Sequence, residues 1–188
     1  MENSNTIDYQ YLSSEAFTIS NFLTQQRCIE LIGRAEDVGY EEAPINSARG
    51  VVMRKDIRNN SRVILDDETL AAEMYERLVP YLPVRLGASR ACGLNERFRF
   101  YKYEAGQQFD WHCDGAYQRA NGEKSRLTVL FYLNEGFVGG ETAFQDLSVA
   151  PETGLVLVFQ HQLLHKGMSV QRGVKLVMRS DVMYEYVS

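Results

Sequence analysis

Cysteine, histidine and runs of a single charge are all scarce in this chain of 188 residues. The three cysteines, Cys28, Cys92 and Cys113, are an odd number with no short pairing motif, which argues against a disulfide framework or a zinc knuckle and predicts reduced thiols. No stretch clusters five Lys or Arg, and 20 basic against 25 acidic residues leave a net charge of −5. Neither nucleic acid nor an anionic membrane is therefore an expected partner. Met1 to Tyr11 has no basic run followed by an apolar stretch, so no signal peptide or membrane span is read there and a cytoplasmic location is the expectation. Repeats and low-complexity tracts are also missing. What is present is an ordinary globular composition, 45% hydrophobic and 24% charged, in a length that suits one domain, 1–188, with a sizeable core.

Helical patterning is confined to the first half. Thr24 is a good N-cap, and Cys28, Leu31, Ile32 and Ala35 follow at three- and four-residue intervals until Gly39. A second helix is predicted from Asp66 or Asp67 through Leu70, Met74 and Leu78, closed by Pro80 and Pro83. Glu41 to Asn60 is polar and without a period, which reads as a long loop of the kind that forms lids or binding segments. From Leu94 onward the pattern changes to short β-type runs, Phe98–Tyr103, Leu127–Asn134, Gly154–Phe159 and Lys175–Tyr186. The prediction is a mainly β jelly-roll barrel over 94–188, with 1–93 as a helix-and-loop support.

With only His112, His161 and His165 present, each histidine can be weighed singly. In an extended chain His112 and Asp114 project to one face and Cys113 to the other. Two histidines and one carboxylate on one face of an octahedral ion make the facial triad of non-haem Fe(II) oxygenases, which leaves three positions open. A bidentate 2-oxo acid and O₂ can fill them, and such a site needs a fixed cation for the far carboxylate of the acid. Lys175, ten residues beyond His165 on a predicted strand, is the candidate, and Val177 and Arg179 share its face.

Several ordered motifs resemble the Fe(II)- and 2-oxoglutarate-dependent dioxygenases, in particular their prolyl 4-hydroxylase-like branch. They are Tyr103-Glu104-Ala105-Gly106-Gln107-Gln108-Phe109-Asp110-Trp111-His112-Cys113-Asp114, then Thr128 to Asn134, Gly139-Gly140-Glu141-Thr142, Val149-Ala150-Pro151, His165-Lys166-Gly167 and Gly173-Val174-Lys175. The resemblance implies a double-stranded β-helix, a cupin-like barrel. It also implies iron held by His112, Asp114 and His165, with Lys175 pairing the distal carboxylate of 2-oxoglutarate and Tyr103 and Tyr132 bonding to the same group. The reaction implied is hydroxylation with release of succinate and CO₂, with ascorbate as reductant. A retained aspartate at 114 argues against the halogenating relatives. His161 is the rival of His165 as third ligand, but the following glycine and the spacing to Lys175 favour His165.

Three readings stay open at this point. Arg179 is either a second cation for the co-substrate or an ion-pair partner of Asp181 or Glu141. Arg97 and Arg99 share the face of Tyr101 and Tyr103, so they either meet substrate or pair elsewhere. The segment Arg54 to Arg62, within the predicted 41–62 loop, is either a substrate cover or hydrated surface. The short chain and possible lid tilt the expected substrate toward a small polar metabolite or amino acid. A peptidyl prolyl substrate is the alternative, and a non-catalytic metal-binding jelly roll is a third reading.

Overall fold

The computed structural model describes residues 7–43, 45–47, 50–52 and 57–187. In chain order the first half runs through β1 (Asp8–Ser13), β2 (Ala16–Ser20), α1 (Gln25–Val38), β3 (Glu41–Glu42), β4 (Ile45–Ser47), β5 (Gly50–Val52), β6 (Ser61–Asp66) and α2 (Glu68–Leu78). A single 3₁₀ turn, Val79–Tyr81, leads into β7 (Arg85–Leu86) and β8 (Ser89–Leu94). The remainder is strands: β9 (Arg97–Tyr103), β10 (Phe109–His112), β11 (Lys124–Tyr132), β12 (Val138–Gly139), β13 (Thr142–Phe144), β14 (Ser148–Val149), β15 (Val156–Gln160), β16 (His165–Gly167), β17 (Val170–Arg172) and β18 (Lys175–Tyr186).

Both helices begin and end where side-chain chemistry dictates. The Thr24 hydroxyl accepts from the Arg27 amide at 3.1 Å, and α1 stops at Gly39, whose φ of +88° suits glycine and whose N–H reaches Ala35. The Asp67 carboxylate caps α2 by accepting from the Leu70 amide at 2.8 Å. Cys28, Leu31 and Ala35 of α1 and Leu70, Met74 and Leu78 of α2 are the buried stripes.

The larger sheet runs β1-β2-β15-β11-β18-β9-β6-β3, and the smaller one β10-β16-β13-β14. β18 is the hub: one edge pairs with β11, while the other pairs first with β9 and then with β8. Its alternation divides the molecule. Met178, Val182 and Tyr184 face the helices in one core with Phe98, Phe100, Val129 and Phe131, whereas Val177 joins Tyr132, Leu157 and Phe159 in a second core on the other face. Each such side chain contributes about 1.5–3 kcal/mol through burial. Lys175, Arg179 and Asp181 leave β18 on the Val177 face, and this places three charged residues between the sheets.

The first half is more than a support. β1, β2, β6 and β8 are strands of the larger sheet itself, contrary to the helix-and-loop expectation for 1–93. Ser89–Leu94 has no β-branched or aromatic residue and takes its strand state from pairing with distant β18, whereas Asp8–Ser13, with two tyrosines, forms a hairpin with β2, which joins the sheet through β15. The predicted 41–62 loop is likewise ordered in part, as the β4–β5 hairpin and a bridge between Arg58 and Phe109. Residues 44, 48–49 and 53–56 of that segment, Arg54 among them, lie outside the described residues.

Gly154 shows how closely the first half is applied. A Cβ there would lie 2.1 Å from the Leu23 carbonyl oxygen, at a φ of +83°, so only glycine lets the chain before α1 approach the sheet.

Candidate active site

His112 ends β10 and His165 begins β16, and these strands pair with His112 opposite His165. Asp114 follows in the turn after β10, held by its amide on the His161 carbonyl at 2.8 Å. The three side chains converge, with one ligand atom from each within 4.8 Å of the other two. His112 Nε2 lies 3.8 Å from Asp114 Oδ1, and His165 Nε2 lies 3.7 Å from Oδ2.

Backbone carbonyls set both imidazole tautomers. His112 Nδ1 donates to the Asp110 carbonyl at 2.7 Å and His165 Nδ1 to that of Leu163 at 2.8 Å, which leaves each Nε2 lone pair directed toward Asp114. Burial, reinforced by the neighbouring His165, pushes His112 down to about 4, and burial lowers His165 as well. Neutral imidazoles are what a metal requires. Burial alone would raise Asp114, but Arg179 and then the two histidines outweigh it and hold the carboxyl well below the usual range. Two neutral nitrogens and one ionised oxygen on one side of a cavity fit an Fe(II) ion with open positions.

His161 stands behind this group rather than in it. The Tyr117 amide donates to Ser125 Oγ at 2.8 Å, and Ser125 Oγ contacts His161 Nε2 at 2.8 Å. His161 Nδ1 then contacts Thr128 Oγ1 at 2.9 Å, and the Thr128 hydroxyl donates to Asp114 Oδ2 at 2.5 Å. Because an ionised carboxylate only accepts, the direction of the whole chain is set: Nδ1 of His161 carries the proton. Thr128 is a residue that the sequence reading passed over. It lies on β11 two steps from Leu130 and four from Tyr132, so alternation from Tyr132 could have found it.

Lys175 is 4% exposed, and its ammonium donates to the Gly140 carbonyl at 2.5 Å. The rings of Tyr103 and Tyr132 flank it at 5.3 and 5.5 Å, and burial lowers it to about 7. Gly140, at a φ of +76°, makes room, since a Cβ there would press on Lys175 Cδ at 3.1 Å. Among the described residues no carboxylate comes within ion-pair distance of this lysine. Lys175 is thus a buried cation whose one hydrogen-bond partner among the described residues is a carbonyl, in the wall of the cavity that holds the triad.

One expectation needs correction, and one open reading is decided. The Tyr132 hydroxyl donates to Thr142 Oγ1 at 2.7 Å, so Thr142 and not Tyr132 lines the cavity there. Tyr103 does line it, with burial pushing its phenol up to about 12. Arg179 also lines the cavity, but as the ion-pair partner that was the second of its two readings: it donates to Asp181 Oδ1 at 3.0 Å and, beyond that reading, to Asp114 Oδ1 at 2.6 Å. The Asp181 pairing follows from shared alternation on β18, whereas the Asp114 contact spans 65 positions and no spacing rule reaches it. Arg97 is spent on Asp66 and Arg99 on Asp181.

A jelly-roll fold with a two-histidine, one-aspartate centre and a buried lysine beside it has the features of a mononuclear iron oxygenase type of site. Residues 98–180 match the model of the 2OG-Fe(II) oxygenase superfamily. Over that segment the chain is similar to members of the superfamily, and the curated proteins it resembles are prolyl 4-hydroxylases. It is 28% identical over 138 residues to Prolyl 4-hydroxylase 2 of Arabidopsis thaliana, an alignment covering 70% of this chain and 44% of the relative. The fold matches the viral collagen prolyl hydroxylase of Paramecium Bursaria Chlorella virus-1 in its 2OG complex, with a TM-score of 0.63, 19% identity, and 91% and 97% of the two chains covered. It also matches a Trichoplax adhaerens prolyl hydroxylase in complex with a hypoxia inducible factor peptide fragment, with a TM-score of 0.69, 17% identity, and 90% and 84% covered.

Proposed function

We propose that this protein hydroxylates prolyl residues in a peptide or protein, consuming 2-oxoglutarate and O₂ and releasing succinate and CO₂. The observation that carries the reaction class is the convergence of His112, Asp114 and His165 beside Lys175 in one cavity. What supports a peptide over the small metabolite first expected is the company the chain keeps, since the relatives reported above are prolyl hydroxylases and one of them is described with a peptide fragment. The possible lid that favoured a small molecule is also weaker: residues 57–60 are strapped against 108–110 by backbone hydrogen bonds and a buried side chain.

In this reading His112, Asp114 and His165 hold Fe(II), which when bound supplies the O₂ chemistry. The residues of the chain do the positioning. Lys175 binds the distal carboxylate of 2-oxoglutarate, Tyr103 bonds to the same end, and Thr142 offers its hydroxyl nearby. Thr128, from behind, and Arg179, from the cavity wall, each bond to one oxygen of Asp114 and keep the carboxylate ionised and oriented. Apolar Leu130 and Val177 exclude water from the cavity wall. Ascorbate as reductant belongs to the same proposal.

The test is succinate release by iron-loaded protein with a panel of proline-containing peptides, alongside mass spectrometry of the peptides. A gain of one oxygen atom on proline is the expected result. Succinate formation confined to free amino acids would return the small-molecule reading, and no 2-oxoglutarate turnover under any condition would overturn the assignment as an enzyme.

A further inference from the structure

The arginines around Tyr101 are not equivalent. Arg99 and Arg179 meet carboxylates, and Arg97 is paired with Asp66 on the surface. Arg58 has no carboxylate among the described residues although it is only 6% exposed. Its Nε donates to Asn60 Oδ1 at 2.7 Å, and Asn60 in turn donates its amide to the Ser61 carbonyl at 2.8 Å, so the fork is held at one end. Its Nη2 is buried with no hydrogen-bond partner. The guanidinium is clamped between two rings, 4.5 Å from the centroid of Tyr101 and 4.5 Å from that of Phe109.

Both of those rings line the cavity of the candidate metal ligands. The other face of Phe109 stacks on the His112 imidazole, with centroids 3.6 Å apart. Arg58 therefore stands one aromatic ring away from a metal ligand, at a different place from the co-substrate cation Lys175. The field there is strongly positive. Burial would raise the Tyr101 phenol, yet Arg58, then Arg179 and Arg99, reverse the shift and lower it. Arg62 adds to the excess, with a buried Nε that also lacks a partner. A charged fork that is buried, immobilised by stacking and left with an unmet donor is costly unless a ligand completes it.

We infer that Arg58 is a specificity-determining residue and that the substrate of this site carries a carboxylate that seats against it beside Tyr101. The inference rests on the prolyl hydroxylase reading for where the oxidised carbon sits, but the charge preference is independent of it. Two sources share this chemistry: an Asp or Glu side chain next to the target proline of a peptide, or the free carboxylate of an imino acid.

The experiment is an anaerobic calorimetric titration of the full chain loaded with Fe(II) and 2-oxoglutarate, in which binding is read without turnover. The ligands are one proline peptide with its neighbouring residue as Glu, Gln or Lys, and the pair L-proline and L-prolinamide. Wild type should bind the acid member of at least one pair about tenfold or more tightly than its amide match, the scale of one charged hydrogen bond. Arg58→Gln should reduce that ratio to within about threefold, and Arg58→Lys should keep part of it. Equal affinity for acid and amide in wild type overturns the inference without recourse to any variant. A preference retained in folded Arg58→Gln removes Arg58 from the role. If only L-proline over L-prolinamide shows the preference and no peptide binds, the carboxylate inference stands and the peptide reading falls. If peptides bind without regard to charge, the carboxylate inference falls and the peptide reading stands.

Discussion

Lys175 and Arg179 leave β18 on the same face, four residues apart, the first buried and the second largely so, yet they are different devices. Arg179 has two carboxylates, Asp114 and Asp181, at 2.6 and 3.0 Å. Lys175 has a backbone carbonyl and two aromatic rings. The surroundings act on the two cations in opposite directions, raising Arg179 through its two acids and lowering Lys175 to about 7 through burial. A buried cation with its counter-ions in place is part of the scaffold. One without them is waiting for an anion from outside, and Arg58 belongs with Lys175 in this respect.

The comparison can be broken most sharply at Arg179. Arg179→Met would leave Asp114 and Asp181 buried with their main counter-charge removed, at a cost of about 3–5 kcal/mol in unfolding free energy measured by denaturant titration. A midpoint equal to that of wild type would mean Arg179 is not structural. Lys175→Met should do the opposite, with stability kept or slightly raised because a lone buried charge is removed. Its 2-oxoglutarate affinity should fall about 30- to 100-fold in a binding titration, corresponding to about 2–3 kcal/mol for a charge-assisted contact. Equal loss of stability in the two variants would erase the distinction.

Acidity sharpens the same contrast. The ammonium of Lys175 is fully present below about 7 and is lost as pH rises through that value. The dissociation constant for 2-oxoglutarate should therefore rise toward about tenfold per pH unit above it, read by titrations from pH 6 to 9. A flat profile would show that the lysine keeps its proton without an anion. The smallest expected effect is at the rear of the metal centre. Thr128→Val deletes the donor to Asp114 Oδ2, and Fe(II) affinity should drop about tenfold, the lower range for groups that orient a metal ligand.

The legible parts of this molecule were those with local signals. The caps Thr24 and Asp67, the stripe Leu70, Met74 and Leu78, and the run Lys175–Tyr186 each sit within one element and follow from its own period. β8 was invisible because its backbone state is set by β18, far along the chain, and the β1–β2 hairpin because its place in the sheet depends on β15. The role of Tyr132 was misread for a related reason: alternation places it on the inner face, but only the position of β13 reveals that Thr142 takes its hydroxyl.

By itself the sequence determined the chemical kit. Two histidines, an aspartate and a lysine in that order and spacing fit one class of metal site, because few other side chains supply neutral nitrogen, ionised oxygen and a fixed cation together. Tertiary structure alone decided how the remaining charges are shared out. Arg179 reaches Asp114 across 65 positions and Arg58 meets Tyr101 from the segment before β6, and which cation is neutralised and which is left open depends on distances that no linear spacing encodes.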